Sequence, residues 1–369
     1  MAGIYICLAA FVHGDLRAKD VSSNNKWIFA TNYEEILMNL KYAGLAAIAA
    51  SAISPSVFAG DLKMPEVSYS GYIRVDGTYK SEEDASGDES SSSNLKASKV
   101  ALTLDAEASE QVSGSVTFEW AGGGDGVEVD EAIIVVKPKD TGLEFTLGKH
   151  VIPFGALNSS FMTDSQGIVL AETNEHAITA KYTTGMATIQ GSIYNGEAKD
   201  GDDIDGFLAR LDLQINDDLS VGASINSNMA NSDTLAEEIT GISADGLDDA
   251  ISGLTANISY GFAKFQFDAE YITALEEFDA ADLGFAGGGE YEPQIFTFEA
   301  KYDLGGDSHI AGRIEVGDDG AGLIAENTFG VIYKTPVLDY LTFEAEFQRA
   351  EYETDDEYNQ VKLRLKYKF

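Results

Sequence analysis

The dominant feature of the chain is an alternation of apolar and polar positions with a period of two. Between residues 67 and 80, Val67, Tyr69, Gly71, Ile73, Val75 and Tyr79 fall on one face, and Ser68, Ser70, Tyr72, Arg74, Asp76 and Thr78 on the other. Phe207, Ala209, Leu211, Leu213 and Ile215 alternate in the same way with Arg210, Asp212 and Gln214. So do Phe265, Phe267, Ala269 and Tyr271 with Gln266, Asp268 and Glu270, and Phe296, Phe298, Ala300 and Tyr302 with Thr297, Glu299 and Lys301. Successive side chains of a strand point to opposite faces, so this pattern predicts strands with one apolar face. No segment carries a convincing apolar helical period. Extended along the chain, the pattern predicts sixteen strands, at 67–80, 95–107, 111–120, 127–137, 143–150, 176–184, 186–195, 206–216, 219–229, 253–261, 262–272, 293–303, 308–316, 326–335, 340–352 and 358–369.

The connections between these strands alternate strictly. Long or polar ones (81–94, 121–126, 151–175, 196–205, 230–252, 273–292, 317–325, 353–357) take turns with tight ones. Pro65, Pro138, Pro153, Pro293 and Pro336 fall at strand ends or in connections, where no ladder N–H is needed. An even number of strands of about ten residues, with long loops on one side and short turns on the other, predicts an all-β fold. The expectation is a transmembrane, antiparallel, up-and-down β-barrel of about sixteen strands. A secreted sandwich would share the alternation; the connection pattern, the even count and the last strand favour the barrel. In that last strand, Val361, Leu363, Leu365, Tyr367 and Phe369 alternate with Lys362, Arg364, Lys366 and Lys368. It resembles the signal that bacterial outer-membrane proteins present to the barrel assembly machinery, and Leu363, Leu365, Tyr367 and Phe369 are its residues here.

One apolar run breaks the pattern. Residues 38–59 place Lys41 before an eleven-residue apolar stretch from Ala43 to Ile53, followed by Ser54, Pro55 and the small-residue segment ending at Ala59. This is the layout of a secretory signal peptide. We therefore expect Met38 to be the biological start. Glu34 and Glu35, whose codons are purine-rich, precede it at the distance of a ribosome-binding site. Residues 1–37 are then a mis-assigned upstream extension, 38–59 the signal peptide and 60–369 the outer-membrane barrel. Composition agrees with that location. The single cysteine, Cys7, falls in the extension, so the barrel has none, which suits an oxidising envelope. The chain holds 62 Asp+Glu against 24 Lys+Arg, a net charge of −38, which disfavours nucleic acid as a partner. Residues 1–59 hold four acids and four bases, so the whole −38 belongs to the barrel.

The middle of the chain carries the most specific local motif. Leu147-Gly148-Lys149-His150-Val151-Ile152-Pro153-Phe154-Gly155 is followed by Met162-Thr163-Asp164 and by Leu170-Ala171-Glu172-Thr173-Asn174-Glu175-His176-Ala177. This stretch resembles the LbtU-type siderophore porins and, more loosely, the phosphate-selective porins. It departs from the pattern at Ser165-Gln166-Gly167 after the Asp, and no coiled-coil segment precedes the first strand. The resemblance implies an outer-membrane channel for small hydrophilic solutes, ferric siderophores among them. It also implies a third loop folded into the channel, and a homotrimer. Independently, connection 151–175 holds Ile152, Phe154, Leu157, Phe161, Met162, Ile168, Val169 and Leu170, too apolar a set to sit in water. We expect it to lie against the inner wall and narrow the pore. Its candidate residues are Lys149, His150, Pro153, Phe154, Gly155, Phe161, Asp164, Glu172 and Glu175.

Strand parity assigns the lumen charges. Basic candidates are Arg74, Lys99, Arg210, Lys301, Arg313, Lys362, Arg364 and Lys366; acidic ones are Asp76, Glu119, Asp212, Asp268, Glu270, Glu299, Glu315, Glu344 and Glu346. Glu344 and Glu346 are expected opposite Arg364 and Lys362, with Arg74 joining at closure. The bases are either an anion-reading eyelet or wall salt bridges. The outer loops are acidic throughout, for example Glu82, Glu83, Asp84, Asp88 and Glu89 in the first. In the fourth, Asp200, Asp202, Asp203 and Asp205 occur. The fifth adds Asp233, Glu237, Glu238, Asp245, Asp248 and Asp249, and the sixth Glu276, Glu277, Asp279, Asp282, Glu290 and Glu292. Such a mouth enriches cations, binds Ca²⁺ or Mg²⁺ at most weakly, and meets the lipid and lipopolysaccharide phosphates around it. No cofactor, metal site or catalytic residue is expected, since no G-x-S-x-G elbow occurs. The competing reading is a general cation-preferring porin without a siderophore role, or a barrel adhesin.

Overall fold

A computed structural model describes residues 65–123, 126–196, 198, 204–242, 250–279, 290–320 and 322–369. The expected extension 1–37 and signal peptide 38–59 lie outside the described residues, as do Asp200, Asp202, Asp203, Asp245, Asp248, Asp249 and Asp282. Strands β1 (Glu66–Glu83), β2 (Glu89–Ser109), β3 (Val112–Ala121), β4 (Glu128–Val136) and β5 (Leu143–Val151) lead into a short helix, α1 (Gln166–Ala171). Strands β6 (Asn174–Thr184), β7 (Ala187–Asn195), β8 (Ile204–Asn216) and β9 (Leu219–Asn226) lead into a 3-10 turn and a second helix, α2 (Asp233–Ile242). The ring is completed by β10 (Gly253–Phe262), β11 (Phe265–Ala274), β12 (Gln294–Gly305), β13 (Ser308–Asp318), β14 (Asn327–Leu338), β15 (Leu341–Glu351) and β16 (Glu357–Lys368).

Each strand pairs antiparallel with its neighbours in sequence, and β1 closes the ring on β16, from Tyr72 opposite Lys368 to Glu83 opposite Glu357. The sixteen-stranded barrel expected from the alternation is the fold. Closure leaves no edge whose N–H and C=O groups would go unpaired in hydrocarbon. Phe369 extends the seam, with its N–H donating to the Gly71 carbonyl and its carbonyl accepting from the Gly71 N–H, both at 3.0 Å. The Phe369 ring occupies the space a side chain at Gly71 would need. The alternating apolar side chains point outward: Ile134, Phe207, Ile314, Phe329 and Leu363 are 46–56% exposed on the isolated chain. An apolar outer face of this kind is stable where lipid, not water, surrounds it. Among the described residues no helix is long and apolar enough to cross a membrane; the strands do so.

Two expectations about connections need correction. The first was a polar loop over 81–94. Instead the ladder continues through it, with Ser81 opposite Ser91 and Glu83 opposite Glu89, and only 84–88 turn. Serine-rich sequence carries no apolar alternation, yet its backbone pairs all the same, and β1 and β2 rise beyond the apolar band. The second was the absence of helix. Helix α2 buries Leu235, Ala236 and Ile239 while Glu237 and Glu238 stay exposed. That is one apolar stripe on a helix of ten residues, too short a stretch for the period to stand out. The stripe joins Ile152, Phe154 and Leu170 of the third loop with Tyr194, Met229, Ile251, Phe278 and Ile324 in one buried cluster at the mouth. The long loops, acidic on their outer side, are thus bound together by a hydrophobic core.

Candidate functional site

The third loop, residues 152–173, lies inside the barrel, because its main chain is held by inward-facing side chains of the wall. The Gly155 N–H donates to Ser224 Oγ on β9 (3.1 Å), and its carbonyl accepts from Arg210 Nη1 on β8 (2.6 Å). Glu270 on β11 accepts the N–H groups of Ala156 (2.5 Å) and Leu157 (2.9 Å). Glu299 on β12 accepts from the Ser160 N–H (2.8 Å) and Ser159 Oγ (3.0 Å). Glu346 on β15 takes the N–H groups of Met162 (2.5 Å) and Thr163 (3.2 Å), and Glu315 on β13 takes that of Gln166 (2.9 Å). Arg313, fully buried, donates to Ser159 Oγ and to the carbonyls of Thr163 and Asp164 at 3.0–3.3 Å. Lys362 reaches Thr163 Oγ1 at 2.9 Å. A main chain inside a barrel has no ladder to join, so its polar groups need such partners. Carboxylates serve well because hydrogen bonds to ionised groups are the strong ones.

Apolar contacts lock the same loop. Phe154 packs on the bare backbone of Gly253, where an added Cβ would lie 2.8 Å from its ring. Phe161 does the same at Gly330 (2.7 Å), and the Arg313 guanidinium stands 4.4 Å above its ring centre. Met162 is buried with Ala311 and Ile332. Pro153 leads into this anchor, and Gly155 has a φ of +81°, where a side chain would be strained. Helix α1 and the return limb are tied to α2: Ser232 Oγ donates to the Val169 carbonyl (2.9 Å), the Asp233 N–H to that of Glu172 (2.8 Å), and the Asn174 N–H to Asp233 Oδ1 (2.8 Å). Ser224 and Asp233 are anchors the sequence reading missed; an inward position on β9 and a helix-start Asp are the only signals they left.

Parity also corrects three of the loop candidates. Lys149 lies opposite His176, and His150 opposite Glu175, in the β5–β6 pair. His150 and Glu175 are buried on the inner wall, so Lys149, one residue along, points outward with exposed His176. His150 binds Thr179 Oγ1 through Nε2 (2.8 Å) and the Gly148 carbonyl through Nδ1 (3.0 Å); it belongs to the wall, not to the constriction. Of the loop carboxylates, Asp164 is exposed and Glu172 half-buried. Burial first, then the charges of Asp233, Asp164 and Asp130, push the Glu172 carboxyl above the usual glutamate range, against a smaller opposing effect of Lys99.

From β14 round to β3, Glu346, Lys362 and Gln360 reach the loop, and the other charges of the wall mostly answer one another. Glu344 stands opposite Arg364 and Glu346 opposite Lys362, the ladder expected from parity, but the residue that joins it at closure is Asp76, opposite Arg364, and not the expected Arg74, which lies opposite Lys366. Arg364 grips Asp76 with two hydrogen bonds of 2.7 and 2.8 Å, Lys334 meets Glu344 at 3.1 Å, and Lys99 pairs with Glu119. Arg74 and Lys366 both stand over the Tyr72 ring, at 4.5 and 4.3 Å from its centre. Across the barrel, Arg210 clasps Asp212 and Arg313 meets Glu315 at 3.2 Å. Of the two readings for the bases, wall salt bridging describes these pairs.

Above the loop, a vestibule of about 1040 Å³ is lined by Glu82, Glu83, Asp84, Asp88 and Glu89 of the first hairpin and Glu353, Asp356 and Glu357 of the last loop. Lys80 is the one base among its lining residues. The Ala85 N–H donates to Asp356 Oδ1 (3.0 Å), joining the two loops. Hydrogen bonds from Ser86 and from the Asp88 N–H hold Asp84 below the usual aspartate range. Among the described residues no cluster of three or more His, Cys, Asp or Glu is placed to hold a metal ion.

This architecture has known counterparts. The anion-selective porin of Comamonas acidovorans superposes with a TM-score of 0.61 at 12% identity, over 83% of this chain and all of that one. The fold is that of the outer-membrane porins. The channel DcaP of Acinetobacter baumannii gives 0.60 at 13% identity over 85% of this chain and 99% of its own. OmpF of Salmonella typhi, in complex with daunomycin, gives 0.60 at 10% identity over 83% and 98%. By sequence, the chain is 27% identical over 255 residues to a UPF0422 protein of Coxiella burnetii. That match covers 65% of this chain and 54% of the relative, so the chain spans about half the length of the protein it matches. No protein-family model matches.

Proposed function

We propose that this barrel is a water-filled channel of the outer membrane that passes small hydrophilic solutes and prefers cations. The observation that carries the reading is the third loop. A segment of some twenty residues is held inside the ring by carboxylates and guanidiniums of the wall, which narrows the lumen. Its free edge bears Asp164 and Glu172, with Lys99 and Lys362 within electrostatic reach. A solute crossing there meets a negative edge after an acidic vestibule, and potentials of one sign raise the local concentration of the opposite ion. The Comamonas porin is anion-selective; the charges of the present mouth support the reverse preference.

The substrate finer than this rests on the resemblance to siderophore porins. A ferric-siderophore cargo would have to pass the acidic mouth, so we favour the general porin over it. A trimer and recognition by the assembly machinery through Leu363, Leu365, Tyr367 and Phe369 belong to the same proposal. The test is a planar bilayer. Ohmic steps with a reversal potential on the cation side are expected under a salt gradient. Absence of steps would overturn the channel, and a reversal potential on the anion side would overturn the preference.

A further inference from the structure

Below the third loop, on the side of the short turns, the inner wall of β10–β12 holds a cavity of about 350 Å³, at the small end of the range for ligand pockets. The loop contributes Asn158, Ser159 and Ser160 to it, and the wall contributes Ser259 and Gln266. The remaining lining residues are Asp268, Glu299 and Lys301, so no apolar side chain faces the space.

Among the described residues, Lys301, the base of this cavity, lacks the partner the other lumen bases have: Arg74 and Lys366, which join no carboxylate either, stand over the Tyr72 ring, and Lys362 bonds Thr163. Asp268 stands opposite Glu299, and Lys301 opposite Gln266, in the β11–β12 pair. Asp268 and Lys301 are therefore diagonal neighbours on one face, at the ~7–8 Å spacing from which long side chains reach each other. Arg210, Arg313, Lys99, Lys334 and Arg364 all join a neighbouring carboxylate. Lys301 joins none among the described residues. Glu299 is turned to the loop, accepting from Ser159 and Ser160. Asp268 uses Oδ1 for Ser259 Oγ (2.6 Å) and Gln266 Nε2 (3.3 Å), which leaves Oδ2 toward the cavity. A free ammonium and a free carboxylate oxygen thus stand a short span apart in a wholly polar pocket.

We propose that this cavity is a solute-binding station for small zwitterions of the α-amino-acid class. The solute carboxylate meets Lys301, its ammonium meets Asp268, and the serine hydroxyls and amides receive a short polar side chain. An apolar side chain finds no partner surface. Simple anions lose the Lys301 contact against the field of Asp268 and Glu299, and simple amines are opposed by Lys301. The inference deepens the channel reading, since the station lies on the path that reading describes.

The test is calorimetric titration of the detergent-solubilised full chain with L-serine, alongside acetate, ethanolamine and erythritol. L-Serine is expected to bind at least tenfold more tightly than each of the other three. Lys301→Met and Asp268→Asn are each expected to weaken L-serine at least tenfold, while Lys301→Arg retains it; unchanged gel mobility of the folded barrel shows that each variant has closed. Equal binding of erythritol, or L-serine affinity unaltered in Lys301→Met, would overturn the station. Bilayer conductance is recorded on the same preparations. Steps without L-serine binding remove the station and keep the channel; binding without steps removes the channel and keeps the site.

Discussion

Two six-strand stretches of the sixteen-stranded lumen wall have the same kind of sequence and different work. From β8 to β13 the inward charges face the third loop: Arg210, Glu270, Glu299, Arg313 and Glu315 each hold its main chain or its serines. From β14 round to β3 they mostly face each other or an aromatic ring, as Asp76 with Arg364, Lys99 with Glu119, and Arg74 with Tyr72. Both stretches read as charged residues alternating with apolar ones. The difference lies in what covers the charge, since Asp76, Arg364, Glu344 and Glu346 are buried as well, mostly by one another. Arg313 and Glu315 are fully covered, whereas Lys99 keeps about a third of its side chain exposed. A charge on a barrel wall is scaffold where a loop covers it and lining where water does.

The covered stretch should break first. Arg313→Ala leaves Glu315 without its partner and frees two loop carbonyls. Removing one member of a buried pair costs about 3–5 kcal/mol. Urea unfolding in detergent is expected to show that loss, and single-channel conductance to rise as the loop leaves the wall; unchanged conductance would mean the loop is held without it. Glu346→Gln keeps the shape and removes the charge behind the Met162 and Thr163 hydrogen bonds. Bonds to charged groups contribute about 1.5–3 kcal/mol, so a smaller loss with noisier open-channel current is expected. Gly330→Val pushes a side chain into the Phe161 ring, and overpacking costs about 1–3 kcal/mol. The same substitution at Gly312, where an added Cβ would lie 3.9 Å from the Gly330 carbonyl oxygen, should cost less.

These positions also show where sequence stops being informative. Alternation gave β8, β11, β12 and β16 because lipid outside and water or loop inside impose a period of two on every strand. The ladder of Glu344 and Glu346 against Arg364 and Lys362 followed from antiparallel pairing alone. The apolar content of 152–170 was enough to place the third loop indoors. Which wall residues would grip it was not legible, since Glu270 gripping Ala156 and Leu157 spans more than a hundred residues and leaves no local pattern. The serine-rich ladder of β1–β2 and helix α2 were missed for the opposite reason. In one the backbone pairs without an apolar signature, and in the other the apolar stripe is only three described residues long. Lys149 was misplaced by a motif read as a block, although its own parity with Leu147 and Val151 puts it outside.

The open stretch should respond in selectivity more than in stability. Lys99→Gln breaks a partly exposed pair with Glu119, worth about 0–1 kcal/mol, so the unfolding midpoint is expected to stay nearly fixed. The reversal potential should move further to the cation side, because Glu119 and Glu172 lose their neighbouring cation. A change in stability without a shift in selectivity would assign Lys99 to the scaffold and erase the distinction between the stretches.

The smallest effect is the most specific to the constriction. Glu172 is held above the usual glutamate range by burial and by Asp233, Asp164 and Asp130. A raised carboxyl becomes neutral at a higher pH than an ordinary glutamate, so lowering the pH should remove its charge early. Cation preference is therefore expected to begin falling already above the usual glutamate range, whereas Asp84, held low by Ser86 and Asp88, keeps its charge to below the usual aspartate range. For stability the sign is the reverse: ionising Glu172 disfavours the folded loop, so protonating it adds a little stability as pH falls through its raised value. In Glu172→Gln the early step in the reversal-potential titration should vanish. A titration unchanged by the substitution would move the selectivity step from the loop edge to the mouth.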